Sequence, residues 1–315
     1  MKTFNAKKLI QKLSSLGTRQ GANEAKALIL IARELQLLKT SFKLQKFITS
    51  YPKYLKCKLF VDGRQLPAEP VSFVSGTINN PIRLLNSLES SIENKFTSNI
   101  NSNPDSQTIS RPNHYFAPAF AVRYFDFKKI KNTSTIKGVV NVRRTRHASA
   151  NILIGNIKNP QTIIFSHYDS IGPGAIDNAS GVAASLQLIN DKHSILDKNL
   201  FVIAGNEELS YDKETYWGHG YRVFEKTYHH LLKSCRQILV ADCLGYAETK
   251  IYRDPQFIKL GLPIKNIHRY IKKTAIVSGP YKALMPFYHS HLDKPSLIKQ
   301  CFLKEAYQTL LALIE

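Results

Sequence analysis

The chain of 315 residues is poor in sulfur: it has four cysteines and two methionines, with a single tryptophan beside them. Cys57, Cys235, Cys243 and Cys301 lie far apart and form no C-x-x-C, which excludes that motif and reads as free thiols in a reducing cytoplasm. Long apolar runs are missing too. The longest, Ala25 to Leu38, is cut by Lys26, Arg33 and Glu34, far short of the ~20 apolar residues of a membrane span. Met1 to Leu13 has lysines spread through it and no apolar stretch ending in small residues, so no secretory signal is evident. These absences point to a cytoplasmic protein without membrane contact.

Acids are scarce as well: 23 Asp and Glu against 44 Lys and Arg give a net charge of +21. Clustered cations would suggest nucleic acid as a partner. Here they are diffuse, in short groups such as Lys7-Lys8, Lys128-Lys129, Arg143-Arg144 and Lys272-Lys273, with no stacking aromatics between them. Nucleic acid is therefore not expected as the main partner. A Lys-, Asn- and Ile-rich proteome, or a preference for acidic peptides, accounts equally for the excess. What is plentiful is apolar residue, 43% of the chain, enough for a large core in one domain or two.

Along the chain, residues 1–41 are helical in pattern. Residues 42–125 begin with short β-type runs, Phe42 to Ile48 and Lys56 to Val61, broken by Asp62-Gly63 and proline-containing turns. Leu84 to Phe96 reads as a helix, and the polar stretch Thr97 to Arg111 as a mobile loop. Residues 126–315 alternate apolar runs with helical patterns, and no internal repeat is apparent.

Chemistry concentrates in that last part. Thr162 to Ser166 is a β-branched apolar run ending at His167; Asn199 to Ala204 repeats the pattern before Gly205-Asn206-Glu207-Glu208, and Gln237 to Ala241 before Asp242. Three buried strands thus end in metal-type residues, at the edge where open α/β sheets bind ligands. Asp177-Asn178 precedes a helical stretch carrying Val182, Leu186 and Ile189 on one face, with Asn178 and Ser180 as cap candidates. Asp177 then sits at a helix start, where backbone amides favour an ionised carboxylate. Two ions ~3.5–4 Å apart need one bridging carboxylate and further imidazole and carboxylate ligands. His167, Asp177, Glu208, Asp242 and His289 supply such a set. The adjacent glutamates would point different ways from their loop, which suits one binding metal and the other moving protons.

Each signal has a plainer reading. A lone H-x-D is common in ordinary cores, paired glutamates are usually a solvated helix face, and an Asp after a strand is usually a turn residue. The ordered set, each member at a strand end or helix start, favours the metal site. His291 competes with His289. His229, His230, His219, His147, His114, His268 and His193 have no matching motif spacing and read as surface or core histidines. Cys243, next to Asp242, is expected to face the opposite side of its strand.

The order H-x-D (His167 to Asp169), D-N-x-S-G (Asp177 to Gly181), E-E (Glu207 and Glu208), Asp242 and H-[ST]-x-x-D (His289 to Asp293) resembles the dizinc metallopeptidases that include bacterial leucyl aminopeptidases and glutamate carboxypeptidase, with the transferrin receptor as an inactive relative. The resemblance implies a three-layer helix/sheet/helix α/β fold of the zinc exopeptidase type with a mixed, mostly parallel sheet. It implies two zinc ions per chain, with cobalt or manganese as substitutes: one on His167, Asp177 and Asp242, the other on Asp177, Glu208 and His289. Glu207 would be the general base acting on a water bridged by the two ions, Asp169 would orient His167, and Tyr288 would polarise the scissile carbonyl. Family spacing to Asp293 selects His289 over His291. Ser14 to Leu38, with Arg19, is similar to the family's first helix, and Pro118 to Val122 through Asn151 to Leu153 to the lead-in of its sheet. Residues 42–125 resemble a small β-rich inserted subdomain, between residues 1–41 and the catalytic 126–315.

The chain departs from the family after Glu208, where Leu209 to Gly220 replaces the usual Gly-Leu and Gly-Ser, so specificity does not carry over. The implied activity is removal of N-terminal residues from peptides. The alternatives are a single-zinc glutaminyl cyclase and a non-catalytic receptor or scaffold on the same fold. Oligomeric state is not legible.

Overall fold

The computed structural model describes residues 4–89, 94–131, 133, 135–212 and 215–315. In chain order its first half holds α1 (Ala6–Ser14), α2 (Ala22–Leu37), β1 (Lys43–Val61), β2 (Arg64–Leu66), β3 (Glu69–Pro70), β4 (Gly76–Asn79), β5 (Arg83–Asn86), β6 (Asn99–Ser102), β7 (Ala119–Ala121), α3 (Tyr124–Ile130) and β8 (Ile136–Gly155). The second half holds β9 (Thr162–His167), α4 (Ser180–Asp191), β10 (Asn199–Ala204), α5 (His219–Ser234), β11 (Gln237–Ala241), β12 (Lys250–Tyr252), α6 (Pro255–Gly261), β13 (Thr274–Ser278), α7 (Tyr281–Leu284) and α8 (Gln300–Ile314). Two compact units result. The first takes the chain up to Thr49, His147–Leu284 and Asp293–Glu315; the second takes Ser50–Arg146 and Met285–Leu292.

In the first unit the strands run β12-β13-β11-β9-β10-β8. The inner four are parallel, while β12 and β8 are antiparallel at the flanks, so the sheet is mixed and mostly parallel. Every residue of β9, β10 and β13 is buried. This is what continuous apolar runs require, because a parallel sheet is covered by helices on both faces. On one face Ile163, Phe165, Val202, Val240 and Ile276 pack with Phe224, Leu231 and Ile258 of α5 and α6. α4 packs against β9 and β11, and against α1 and α8. The three-layer α/β fold of the zinc exopeptidases is thus present.

In the second unit β4 pairs with β8 and β2 with β1, and a separate sheet runs β3-β7-β6-β5. Its core gathers Leu59, Ile78, Phe120, Phe127 and Val140. The β1–β2 hairpin turns at Asp62-Gly63, with Val61 opposite Arg64 and φ of 46° and 75° in the turn. Such left-handed pairs fit the twist of a two-residue hairpin.

Four local expectations change. The runs Phe42 to Ile48 and Lys56 to Val61 are one strand, β1, which passes through Pro52. Leu84 to Phe96 is no helix in its described part: Arg83–Asn86 is a strand pairing in parallel with β6, and residues 90–93 lie outside the described residues. Thr97 to Arg111 is no loose loop, since it contains β6, whose four residues are buried. Its asparagines satisfy one another: Asn101 Nδ2 donates to Asn99 Oδ1 at 2.8 Å, and Asn99 Nδ2 to Thr97 O at 2.8 Å. Polar composition therefore hid a strand whose asparagine amides are paired within the segment. Finally, the helix proposed from Ser14 begins only at Ala22, because Gly17 and Gly21 hold left-handed backbone. Among the described residues no helix is long and apolar enough to cross a membrane.

Phe165 is fully buried and meets Tyr221 and Phe224 edge-on, with ring centroids at 5.3 and 5.2 Å. Phe165→Ala should lower the unfolding free energy by about 3–5 kcal/mol through lost burial and an unfilled cavity. A denaturant titration checks this, and an unchanged midpoint would contradict the packing described.

Candidate metal centre

The centre is built where three neighbouring parallel strands stop. β9 lies between β10 and β11, so His167 at the end of β9, Glu207 and Glu208 beyond β10 and Asp242 beyond β11 emerge on one edge. Asp177 comes from the turn before α4, with extended backbone (φ −111°, ψ 91°) and a cis peptide to Asn178. Asn178 Oδ1 accepts from Gly181 N at 2.9 Å, as a cap should, and its Nδ2 donates to Ala241 O at 2.9 Å. Ser180 is not a cap: its hydroxyl donates to Ile176 O and accepts from Leu244 N. A side chain at Gly181 would strike Ala241 O and Asn178, so only glycine lets α4 start this close to β11.

His167 Nε2 stands 3.1 Å from Asp177 Oδ1 and 3.5 Å from Asp242 Oδ1. Ligand atoms of His167, Asp177 and Glu208 lie within 4.8 Å of one another, and so do those of Asp177, Asp242 and Cys243. Asp177 is common to both groups. His167, Asp177 and Glu208 are buried, and the Asp242 side chain is a quarter exposed. Three carboxylates around one imidazole are a dense negative set in a poorly hydrated place. A divalent cation compensates such a set, and nitrogen with oxygen donors suits zinc.

Asp169 organises the approach. Its Oδ1 accepts from Glu207 N at 2.9 Å, and its Oδ2 accepts from Glu208 N at 2.9 Å and from Gln20 Nε2 at 3.0 Å. His167 Nδ1 lies 3.3 Å from Asp169 O and 3.5 Å from its Oδ1. Asp293 does the same for the other side, accepting from Ile176 N at 2.7 Å and Asp177 N at 3.1 Å. Burial, and Asp177 beside it, push the Asp293 carboxyl up to about 7 against these amide bonds.

Burial raises Glu207 well above the carboxylate range; the nearby His167 opposes this, while Glu208, Asp169 and Asp242 add to it. Burial disfavours charge on His167, yet bonds to Asp169, Asp177 and Asp242 win and raise it well above its usual value.

Several surrounding residues carried little sequence signal. Arg19 is fully buried and donates to Tyr168 O and Pro173 O, both at 2.6 Å, and to Gly174 O at 3.0 Å. Burial lowers its guanidinium to about 10, against Asp169, Asp293, Asp177 and Glu208 nearby. Buried Glu24 accepts from Ser149 Oγ and pairs with His147 Nε2 at 2.6 Å. A side chain at Gly205 would strike Ser149 and Tyr168, so the approach to the glutamate pair must be glycine. Cys243, expected to face away, does not: its φ of 53° turns the chain back, and Sγ lies 3.4 Å from Asp242 Oδ1.

Tyr288 and His289 belong to the second unit. There His289 Nδ1 lies 3.1 Å from Arg111 O, and its ring stacks on Tyr288 with centroids 3.8 Å apart. His291 is exposed, with Nδ1 3.1 Å from Thr108 Oγ1.

The fold is that of the zinc exopeptidases, and the donor set is of a kind that could hold a divalent metal. Residues 151–210, which carry His167, Asp169, Asp177, Glu207 and Glu208, match the family model of Peptidase family M28. The chain is similar in fold to BSAP, a zinc aminopeptidase from Bacillus subtilis, at 19% identity over 98% of this chain and 93% of that one, with a TM-score of 0.71. It is similar to an aminopeptidase from Aneurinibacillus sp. strain AM-1, at 16% identity over 96% and 90%, with a TM-score of 0.62. A Porphyromonas gingivalis glutaminyl cyclase aligns at 12% identity over 98% and 96%, with a TM-score of 0.52. No curated protein matches the chain.

Asp169→Asn would turn one acceptor into a donor facing a backbone N–H. Metal affinity should fall about 10–100-fold, as for other residues that orient ligands. Competition with a chelator measures it, and wild-type affinity would remove Asp169 from this role.

Proposed function

We propose that the chain is a zinc exopeptidase that removes N-terminal residues from peptides, with two metal ions per chain. The observation that carries this reading is the meeting of His167 Nε2 with Asp177 and Asp242 at 3.1 and 3.5 Å, with Asp177 also grouped with Glu208. A carboxylate common to two donor groups is what a bridged pair needs. His167, Asp177 and Asp242 would hold one ion, and Asp177 and Glu208 the other. His289 is assigned to the second ion by motif order, and Tyr288 to the substrate carbonyl by the same resemblance.

Zinc bound here supplies Lewis acidity and makes water a stronger acid. Glu207, held by its backbone to Asp169, accepts the proton of the attacking water on its carboxylate and returns it to the departing amine. Burial raises its carboxyl, which favours its holding the proton between the two steps. Asp169 and Asp293 fix the backbone of Glu207, Glu208 and Asp177, so these groups need not reorganise.

Elemental analysis of chain purified without chelator and dialysed against dilute zinc should give two ions per chain; one ion would overturn the dinuclear centre. Glu207→Ala should keep both ions and lose about 10²–10⁴-fold in turnover of aminoacyl substrates. Normal hydrolysis by that variant would remove Glu207 as the base. His289 is buried, with Nδ1 3.1 Å from Arg111 O. His289→Ala should lose one ion and His291→Ala none; the reverse pattern would exchange their assignments.

A further inference from the structure

Beyond Glu208 the chain returns to the glutamate pair at Gly218, whose N donates to Glu207 O at 2.5 Å; Gly220 N donates to Asn206 O at 3.3 Å. Gly218 has left-handed backbone (φ 75°), and a side chain there would strike Pro263, so only glycine makes this return. Arg222, in the first turn of α5, grips the returning chain from the other side. Its Nη1 donates to Trp217 O at 2.7 Å and to Pro263 O at 3.1 Å, and its Nη2 to Asp212 Oδ2 at 2.7 Å and to Thr215 O at 2.8 Å. The Arg222 side chain is mostly buried.

These contacts join through peptide groups. Trp217 O and Gly218 N are the two ends of one planar trans peptide, and Glu207 O and Glu208 N are the two ends of another. A single file of hydrogen bonds results. The guanidinium donates to the 217–218 peptide, that peptide donates to the 207–208 peptide, and the 207–208 peptide donates to Asp169 Oδ2 at 2.9 Å. The file runs from a cation to an anion, with each carbonyl toward the arginine and each N–H toward the aspartate. Hydrogen bonds chained in this sense polarise and strengthen one another. The Asp212 carboxylate, by contrast, meets the other guanidinium nitrogen and lies 2.7 Å from His219 Nδ1, off this file.

We propose that Arg222 is a positioning residue for the Glu207–Glu208 pair: through the 217–218 peptide it holds the carbonyl end of the peptide group whose N–H end Asp169 holds. The inference rests on the metal-centre reading above, in which Glu208 binds metal and Glu207 moves the proton. With both ends of that peptide held, ψ of Glu207 and φ of Glu208 are fixed, and with them the directions in which the two side chains leave the backbone. Asp169 alone fixes one end. Arg222 thus acts on metal binding and proton transfer through main chain, without touching either glutamate side chain.

The test is the full chain carrying Arg222→Met, which removes the donors and keeps an apolar stem, loaded with zinc and titrated with a competing chelator. The ion that Glu208→Ala loses should bind about 10–100-fold more weakly, as when other residues that orient ligands are removed. In an Asp169→Asn background the same substitution should cost less, because the peptide is already released at its other end. Asp212→Ala should leave zinc affinity at the wild-type value. Arg222→Lys, which keeps a cation without the planar fork, should show a smaller loss in the same direction and carries the test if Arg222→Met does not fold. Wild-type affinity in the Arg222 variants, an equal loss in Asp212→Ala, or losses that simply add to that of Asp169→Asn would each overturn the role of Arg222 and leave the centre standing. A wild-type chain that binds no zinc, or a Glu208→Ala chain that keeps both ions, would overturn the centre as read above and this inference with it.

Discussion

The Asp169 carboxylate is the constraint on which the centre depends. It leaves the end of one strand and accepts the backbone N–H groups of two successive residues beyond the next, with Gln20 as a third donor. Three amide donors thus satisfy both oxygens of this buried carboxylate. Because the clamp grips backbone rather than side chain, it sets the directions of Glu207 and Glu208 at once. Asp293 repeats the device on the Ile176–Asp177 backbone. Asp177, Glu207 and Glu208 are thus each held through their backbone by another carboxylate, and strand pairing supplies the rest: Ala204 sits opposite His167 in the parallel register.

Close packing makes this possible. The parallel core is buried on both faces, so strand ends cannot drift, and glycine at positions 181 and 205 brings helix and loop nearer than any side chain would permit. The apolar runs therefore act on chemistry indirectly. They determine where the chain stops being a strand, and the polar residues at those stops share one small volume.

The sheet was legible because a strand buried on both faces is written as an unbroken apolar run, as in Thr162 to Ser166, Asn199 to Ala204 and Gln237 to Ala241. The placing of His167, Glu208 and Asp242 at one sheet edge followed from the same runs, and that of Asp177 from the helix start that follows it. The region from 84 to 111 was misread because its strands are short and polar, and Asn99 and Asn101 reach burial by bonding to each other. Cys243 was misread because side-chain alternation holds only while the strand continues, and one left-handed residue ends it. Arg19, Gln20 and Glu24 act through tertiary contacts with residues more than a hundred positions away, which periodicity does not reveal.

Arg19 has an effect of another kind. Its guanidinium donates to main-chain carbonyls, and among the described residues no carboxylate pairs with it directly. Asp169, Asp177, Asp293 and Glu208 feel it through the protein interior, where dissolved ions do not penetrate and screening is weak. The acidic centre thereby has a permanent counter-charge of its own, fixed in the core and indifferent to the ionic strength of its surroundings, that limits how strongly those acids repel one another while the fold assembles and before any cation arrives.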